Sequence, residues 1–174
     1  QAGMQFAVDG GYSFIVRIDG DGQHPPSEIS KLMQKATETD ADLIIGSRFG
    51  VENEVVSSRF RYVGVWVLSV ILSRICRKSL SDPTSGFWLV RQPLLTYFAK
   101  EFPTDYPEPE ALALLRRQGY DFTECGVRFR ARTAGTSSIR TWGTVHFTLK
   151  VGLALMVDRL RPVNRIYAKG GEDG

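Results

Sequence analysis

The stretch "IVRIDGDGQHPP", residues 15–26, runs a β-branched apolar segment straight into two aspartates separated by one glycine. Two carboxylates as close as Asp19 and Asp21 repel each other unless a cation lies between them or one takes up a proton. Gly20 and Gly22 let the backbone turn tightly and leave room for a bulky ligand. Such a glycine-rich carboxylate loop is a hard-oxygen site, suited to Mg²⁺ or Mn²⁺ that also binds substrate phosphates. An EF-hand would place Gly sixth and Glu twelfth; counted from Asp19 those positions hold His24 and Ser30, so that reading fails. Two plain Asp-Gly turns have the same spacing, and the stretch alone leaves both readings open.

A second carboxylate cluster is "DYPEPE", residues 105–110. Residues before proline are pushed towards extended conformations, so Tyr106 and Glu108 are expected to be non-helical. Pro109 then opens a helix, with Glu108 capping its positive end. A carboxylate fixed there could take a proton from an attacking hydroxyl, with Glu108 the first candidate and Asp105 and Glu110 behind it. A helix-capping cluster with no chemistry would look the same. A third group, "RTAGTSSIR", places Arg132, Ser137, Ser138 and Arg140 on a glycine-containing loop. Guanidinium forks and hydroxyls of this kind bind phosphate oxygens, and such a loop could close as a lid that excludes water. An ordinary surface loop is the alternative.

The elements that must position these groups follow from periodicity and turn residues. The opening "QAGMQFAVDGGYS" predicts the end of a helix stopped at Gly10 and Gly11. "SFIVRID" predicts a strand central in a sheet, "SEISKLMQKATET" a helix started by prolines, and "ADLIIGS" a second strand. A long helix covers "SRFRYVGVWVLSVILSRICRK", with Val63, Trp66, Val67, Val70 and Ile71 as its stripe. "LSDPTSGF" is a turn-rich loop that leads into a short strand or helix, and helices follow at "RQPLLTYFAKEF" and "ALALLRRQGY". Alternating strand residues "FTECGVRFRAR" come next, then an amphipathic helix with Trp142, Val145, Leu149, Leu153, Met156 and Leu160 on one side. Strands alternating with helices predict an α/β fold with a mostly parallel sheet. The domain is expected to span 1–165, followed by a frayed tail at 166–174. The chain opens inside a helix, so the first βαβ unit of a doubly wound sheet is expected to be absent.

Whole-chain composition adds bounds. The 174 residues suffice for one domain with a real core, and 43% apolar with 24% charged residues excludes a disordered or collagen-like chain. Residues 1–110 carry 11 Lys/Arg against 14 Asp/Glu, whereas 111–174 carry 11 against 5. Basic character gathered in one half suits an anionic partner, or simply a solvated face. No nucleic-acid recognition motif accompanies it, so a nucleic-acid module is set aside. Cys76 and Cys125 match no metal spacing and read as free thiols of a reducing compartment. No apolar run reaches the ~20 residues of a membrane span, which predicts a cytoplasmic protein, either free or at the inner face of the plasma membrane. The two longest amphipathic helices, with Arg159, Arg161 and Arg165 near the second, could pack on the core or rest on anionic headgroups.

Taken in order, "IDGDGQHPP", "IIGSRF", "DPTSGF", "DYPEPEAL" and "RTAGTSSI" resemble the nucleotide-sugar-dependent glycosyltransferases of family 2, with the GT-A fold. The likeness is greatest to the bacterial branch of polyprenyl-phosphate sugar synthases and surface-polysaccharide enzymes, and it runs from residue 1 to about 160. The resemblance implies an incomplete GT-A fold lacking the N-terminal nucleobase-binding unit. It also implies inverting transfer of a sugar from a nucleotide-sugar donor to a saccharide or polyprenyl-phosphate acceptor. Asp19 and Asp21 would hold the divalent cation against the donor diphosphate, with Arg132, Ser137, Ser138 and Arg140 on the phosphates. Gln23 and His24 extend the first motif, His24 orienting a carboxylate or contacting the sugar. Arg48 and Arg59 would border the acceptor side, and Asp82, Thr84, Ser85, Gly86 and Phe87 would line the pocket. Glu108 falls where the family has its Asp general base; for a lipid-phosphate acceptor, already ionised, it would only position the substrate. The family often has Arg after the Gly-Phe pair, where this chain has Trp88. The competing reading is a non-catalytic fragment acting as a binding module, and association with other chains is left open.

Overall fold

The computed structural model describes residues 1–49, 51, 59–104 and 106–130. Helix α1 (Ala2–Asp9) ends where expected, with Gly11 in the left-handed region at φ 70° and Tyr12 N–H bonded back to the Ala7 carbonyl. Strand β1 (Phe14–Arg17) follows, then one 3₁₀ turn (Pro26–Glu28) that delivers helix α2 (Ile29–Glu38). Strand β2 (Leu43–Ser47) is buried along its whole length, as a continuous apolar run requires. After it come α3 (Arg59–Cys76), β3 (Trp88–Arg91), α4 (Leu94–Glu101), α5 (Pro107–Arg117) and β4 (Phe122–Gly126).

The sheet order is β1-β3-β2-β4. β3 pairs antiparallel with both β1 and β2, while β2 pairs parallel with β4. Three strands therefore share one direction and β3 is inserted against them, so the sheet is mixed where a mostly parallel one was expected. The pattern of residues could not reveal this, because β3 is as apolar as a parallel strand and buried on both sides. β1 is likewise an edge strand among the described residues and not central. Phe14 and the neighbouring Tyr12 and Ile18 stay exposed.

Period-two alternation splits the core between the two faces. Leu43, Ile45, Trp88 and Val90 pack with Leu68, Leu72, Leu94, Phe98, Leu112 and Phe122 beneath α1, α3, α4 and α5. Ile44, Phe87 and Leu89 face the other way and pack with Leu32, Ala36, Val127 and Phe129 under α2. The C-terminal helix and tail expected after residue 131 lie outside the described residues.

Helix α3 corrects another expectation. Its buried side is Val65, Leu68, Leu72 and Cys76, whereas Val63 and Trp66 from the expected stripe are exposed at 60% and 64%. Between Arg61 and Arg74 the helix is apolar nearly all round, so two stripes fit the same 3.6-residue period. Contact with α5 decides between them, with the Cys76 thiol against the Leu112 carbonyl. Leu72→Ala should therefore lower the unfolding free energy by about 2–5 kcal/mol. Val63→Ala should change it by less than about 0.5 kcal/mol. Urea unfolding followed by circular dichroism measures both, and the reverse ranking would contradict this packing.

Candidate functional site

Because β1, β2 and β4 run one way and β3 the other, the carboxyl ends of three strands and the entry to β3 meet at one end of the sheet. In open α/β sheets this is where ligands bind. Asp19 and Asp21 follow β1, Arg48 follows β2, residues 81–87 lead into β3, and Val127–Phe129 follow β4.

The firmest contact here is a buried ion pair. Asp82, fully buried, accepts from the Arg48 side chain at 2.8 and 2.6 Å and from its backbone N–H at 3.0 Å. Arg48 also donates to Thr84 Oγ1 at 2.6 Å. Burial alone would lower the Arg48 pKa, but hydrogen bonding and charge from Asp82 hold it above its ordinary value. Glu124 of β4 supports the same loop from behind, accepting from the Ser81 and Asp82 backbone N–H groups at 2.7 and 2.8 Å. Ser85 Oγ donates to the Gly46 carbonyl. The loop is thus fastened to β2 and β4 before it enters β3.

That fastening sets Gly86 against Asp19. A Cβ at Gly86 would lie 3.1 Å from both Asp19 carboxylate oxygens, so the missing side chain is what gives the carboxylate its room. The Asp19 side chain remains 48% exposed and open to a ligand. Asp21 Oδ1 accepts the Gln23 N–H at 3.0 Å, and the Gln23 carbonyl accepts the Arg130 N–H at 3.0 Å, tying the loop to the chain after β4. Among the described residues no cluster of three His, Cys, Asp or Glu side chains could hold a metal.

His24 is buried, stacked on Phe87 and edge-on to Phe129, both at 4.9 Å. Its Nδ1 accepts the Asp19 backbone N–H at 2.9 Å, so a neutral ring carries its proton on Nε2. Nε2 lies 3.9 Å from Asp19 Oδ2, beyond a hydrogen bond. Burial lowers the His24 pKa, and the opposing pull of Asp19 and Asp21 does not overcome it.

Helix α5 begins at Pro107, two residues earlier than expected, with Tyr106 as its N-cap. Prolines at the first and third helical positions cost nothing there, because the first N–H groups of a helix have no partner in any case. Glu108 is therefore inside the first turn, not ahead of it. Its Oε1 accepts from Arg17 Nη2 at 2.6 Å, and the Arg17 guanidinium lies 5.3 Å above the Trp88 ring. Arg17 and Trp88 face each other across β1 and β3. Where the resembled family often has arginine, the guanidinium here comes from the residue paired with that position.

Of the residues singled out by sequence, Asp19, His24, Arg48, Asp82, Thr84, Ser85 and Gly86 come together in this one network. Arg59 opens α3, and nothing of its side chain is described. Asp105, Arg132, Ser137, Ser138 and Arg140 lie outside the described residues. Sequence reasoning missed Arg17 and Glu124. A lone Arg inside "FIVR" and a lone Glu inside "FTECG" were their signals. Burial raises both thiols, Cys76 to about 11, so neither is a thiolate at neutral pH.

Residues 2–98, more than half of the chain, match the profile described as "Glycosyl transferase family 2". The chain belongs to this family. Similar proteins include the "Polyprenol monophosphomannose synthase" of Mycolicibacterium smegmatis, 46% identical over 95 residues. Those residues are 54% of this chain and 36% of that protein. The "Undecaprenyl-phosphate mannosyltransferase" of Micrococcus luteus is 32% identical over 87 residues, 49% of this chain and 35% of that protein. "Uncharacterized protein MJ0544" of Methanocaldococcus jannaschii is 43% identical over 49 residues, 28% of this chain and 21% of that protein. The chain thus matches about a third of the length of the first and second of these. Within the glycosyltransferase match lie Asp19, Asp21, Gln23, His24, Arg48, Arg59 and the 82–87 loop, while Glu108 and the later basic loop lie beyond it.

The His24 contact has a pH signature. With its folded pKa below the ordinary 6.5, the unfolded chain takes up the proton first. The stabilisation is therefore fully present above about pH 6.5 and lost as pH falls through the lowered folded value. The stability advantage of wild type over His24→Asn, from urea midpoints, should shrink between pH 7.5 and the low fives. An advantage that stayed constant would contradict a buried, neutral His24.

Proposed function

We propose that this glycosyltransferase moves a sugar from a nucleotide-sugar donor to the phosphate of a polyprenyl acceptor. The observation that carries the reading is the Asp19 carboxylate, exposed beside Gly86 at the carboxyl end of β1. The names of the Mycolicibacterium and Micrococcus relatives, a polyprenol monophosphomannose synthase and an undecaprenyl-phosphate mannosyltransferase, point to the acceptor class. Asp19 and Asp21 would hold Mg²⁺ or Mn²⁺. Two carboxylates leave most of the coordination shell to substrate phosphates and water, as these ions prefer. A bound cation there supplies Lewis-acid neutralisation of the charge that develops on the leaving nucleoside diphosphate.

The chain's own residues supply placement. His24 fixes the backbone of Asp19, and the Arg48–Asp82 pair fixes the loop that makes room for its carboxylate. A phosphate acceptor is ionised before it attacks, so no proton need leave it. Glu108 then positions the acceptor instead of acting as a base. On a hydroxyl acceptor the same carboxylate would have to take the proton. Attack from the face opposite the leaving diphosphate inverts the anomeric carbon.

An acceptor with an apolar tail needs an apolar approach. Tyr62, Val63 and Trp66 expose such a face on α3, and Tyr62 meets the Phe49 ring at 5.5 Å, next to Arg48. Residues 55–81 hold five basic side chains and no acidic one. This face is our candidate for contact with an anionic membrane surface. No helix among the described residues is long and apolar enough to cross a membrane.

The test is transfer of labelled mannose from a panel of nucleoside-diphosphate mannoses to polyprenyl phosphate in anionic vesicles. Wild type should yield an organic-soluble product sensitive to chelators. Glu108→Gln should keep turnover within about ten-fold on this acceptor, yet lose about a hundred-fold or more on a hydroxyl acceptor. Transfer to saccharide alone would overturn the acceptor assignment.

A further inference from the structure

Arg17 is out of place in its strand. Its neighbours in β1 are Phe14, Ile15 and Val16, its cross-strand partner Trp88 is fully buried, and Phe102 closes over it at 5.8 Å. A guanidinium in such surroundings is desolvated, and needs a fixed opposite charge to stay there. Glu108 provides it, through the contact between Nη2 and Oε1 at 2.6 Å. The two side chains are 26% and 21% exposed, so the pair sits at the boundary between the core and the open end of the sheet.

Glu108 does not stand alone in charge. Glu108 and Glu110 both fall in the first turn of α5. An acceptor phosphate brought towards that segment would meet like charge, at a cost that falls slowly with distance in a partly desolvated site. The Arg17 contact cancels the Glu108 charge, and the guanidinium itself rests over the Trp88 and Phe102 rings.

We propose that Arg17 is the counter-ion that lets an anionic phosphate acceptor approach Glu108. It is thus a specificity-determining positioning residue that selects phosphate over neutral acceptors, an inference that rests on the transfer reading above. Arg17 acts through Glu108, and the phosphate itself does not bond to it.

The experiment is steady-state kinetics on Arg17→Met, Glu108→Gln and the double variant, each with polyprenyl phosphate and with a neutral saccharide acceptor. Arg17→Met should raise KM for polyprenyl phosphate about ten-fold while leaving donor KM unchanged. The double variant should return to within about two-fold of Glu108→Gln, because the uncompensated charge is gone. Arg17→Lys, which keeps the charge without the planar fork, should stay near wild type and serves as the variant to read if Arg17→Met does not fold. A double variant as impaired as Arg17→Met would overturn the proposal, since Arg17 would then contact the phosphate or serve packing alone. So would an equal effect on phosphate and saccharide acceptors. Wild type active on neither acceptor would instead refute the transfer reading, and the counter-ion role with it.

Discussion

The geometry of the open end of the sheet depends on the buried pair between Arg48 and Asp82. Arg48 is the first residue after β2, and Asp82 lies in the loop that turns back into β3. Removing either partner would leave an uncompensated charge in the interior, a loss of about 3–5 kcal/mol. The pair therefore holds more than two side chains. It fixes the point at which the one reversed strand enters the sheet, and so fixes where Gly86 lies relative to the end of β1. Glu124 and Ser85 add backbone bonds to the same loop from β4 and to β2. A carboxylate in the next strand can then be given space by subtraction, through a glycine, instead of by a cavity.

The two carboxylates at issue are served by a single strand end. Asp19 leaves β1 towards Gly86, and Arg17, two residues earlier, reaches across Trp88 to Glu108. A shift of β1 against β3 would displace both at once. This coupling steadies a short strand with an exposed edge: its inner side is clamped by β3 and its tip by His24. It also gives the aromatic groups a purpose beyond packing. Phe87 and Phe129 keep His24 dry and neutral, so Nδ1 stays available to the Asp19 N–H.

Much of this was legible in the residues themselves. The β-branched run ending in Asp-Gly-Asp-Gly announced both the strand and its carboxylates. "SRF" after an apolar run and "DPTSGF" after a helix announced the loops that the Arg48–Asp82 pair joins. What the sequence hid has physical causes. Strand direction is not encoded in local pattern, and the residues after "DPTSGF" read as a short strand or helix, so the reversal of β3 stayed hidden. A helix apolar on almost every side offers two equivalent stripes, and only α5 selects Leu68 and Leu72 over Val63 and Trp66. A helix beginning with two prolines satisfies the same local rules at Pro107 as at Pro109. Arg17 and Glu124 matter through partners 91 and 43 residues away, beyond any local reading.

The central claim is that Gly86 is small so that the Asp19 carboxylate can hold a cation against a diphosphate. The most direct measurement is an electron paramagnetic resonance titration of Mn²⁺ in the presence of a nucleoside diphosphate, on wild type, Asp19→Ala and Gly86→Ala. A methyl group 3.1 Å from both carboxylate oxygens makes the exposed carboxylate give by a few tenths of an ångström, so Gly86→Ala should weaken Mn²⁺ binding measurably, though less than Asp19→Ala, while remaining folded. Binding by Gly86→Ala that matches wild type, or by Asp19→Ala that does, would contradict it.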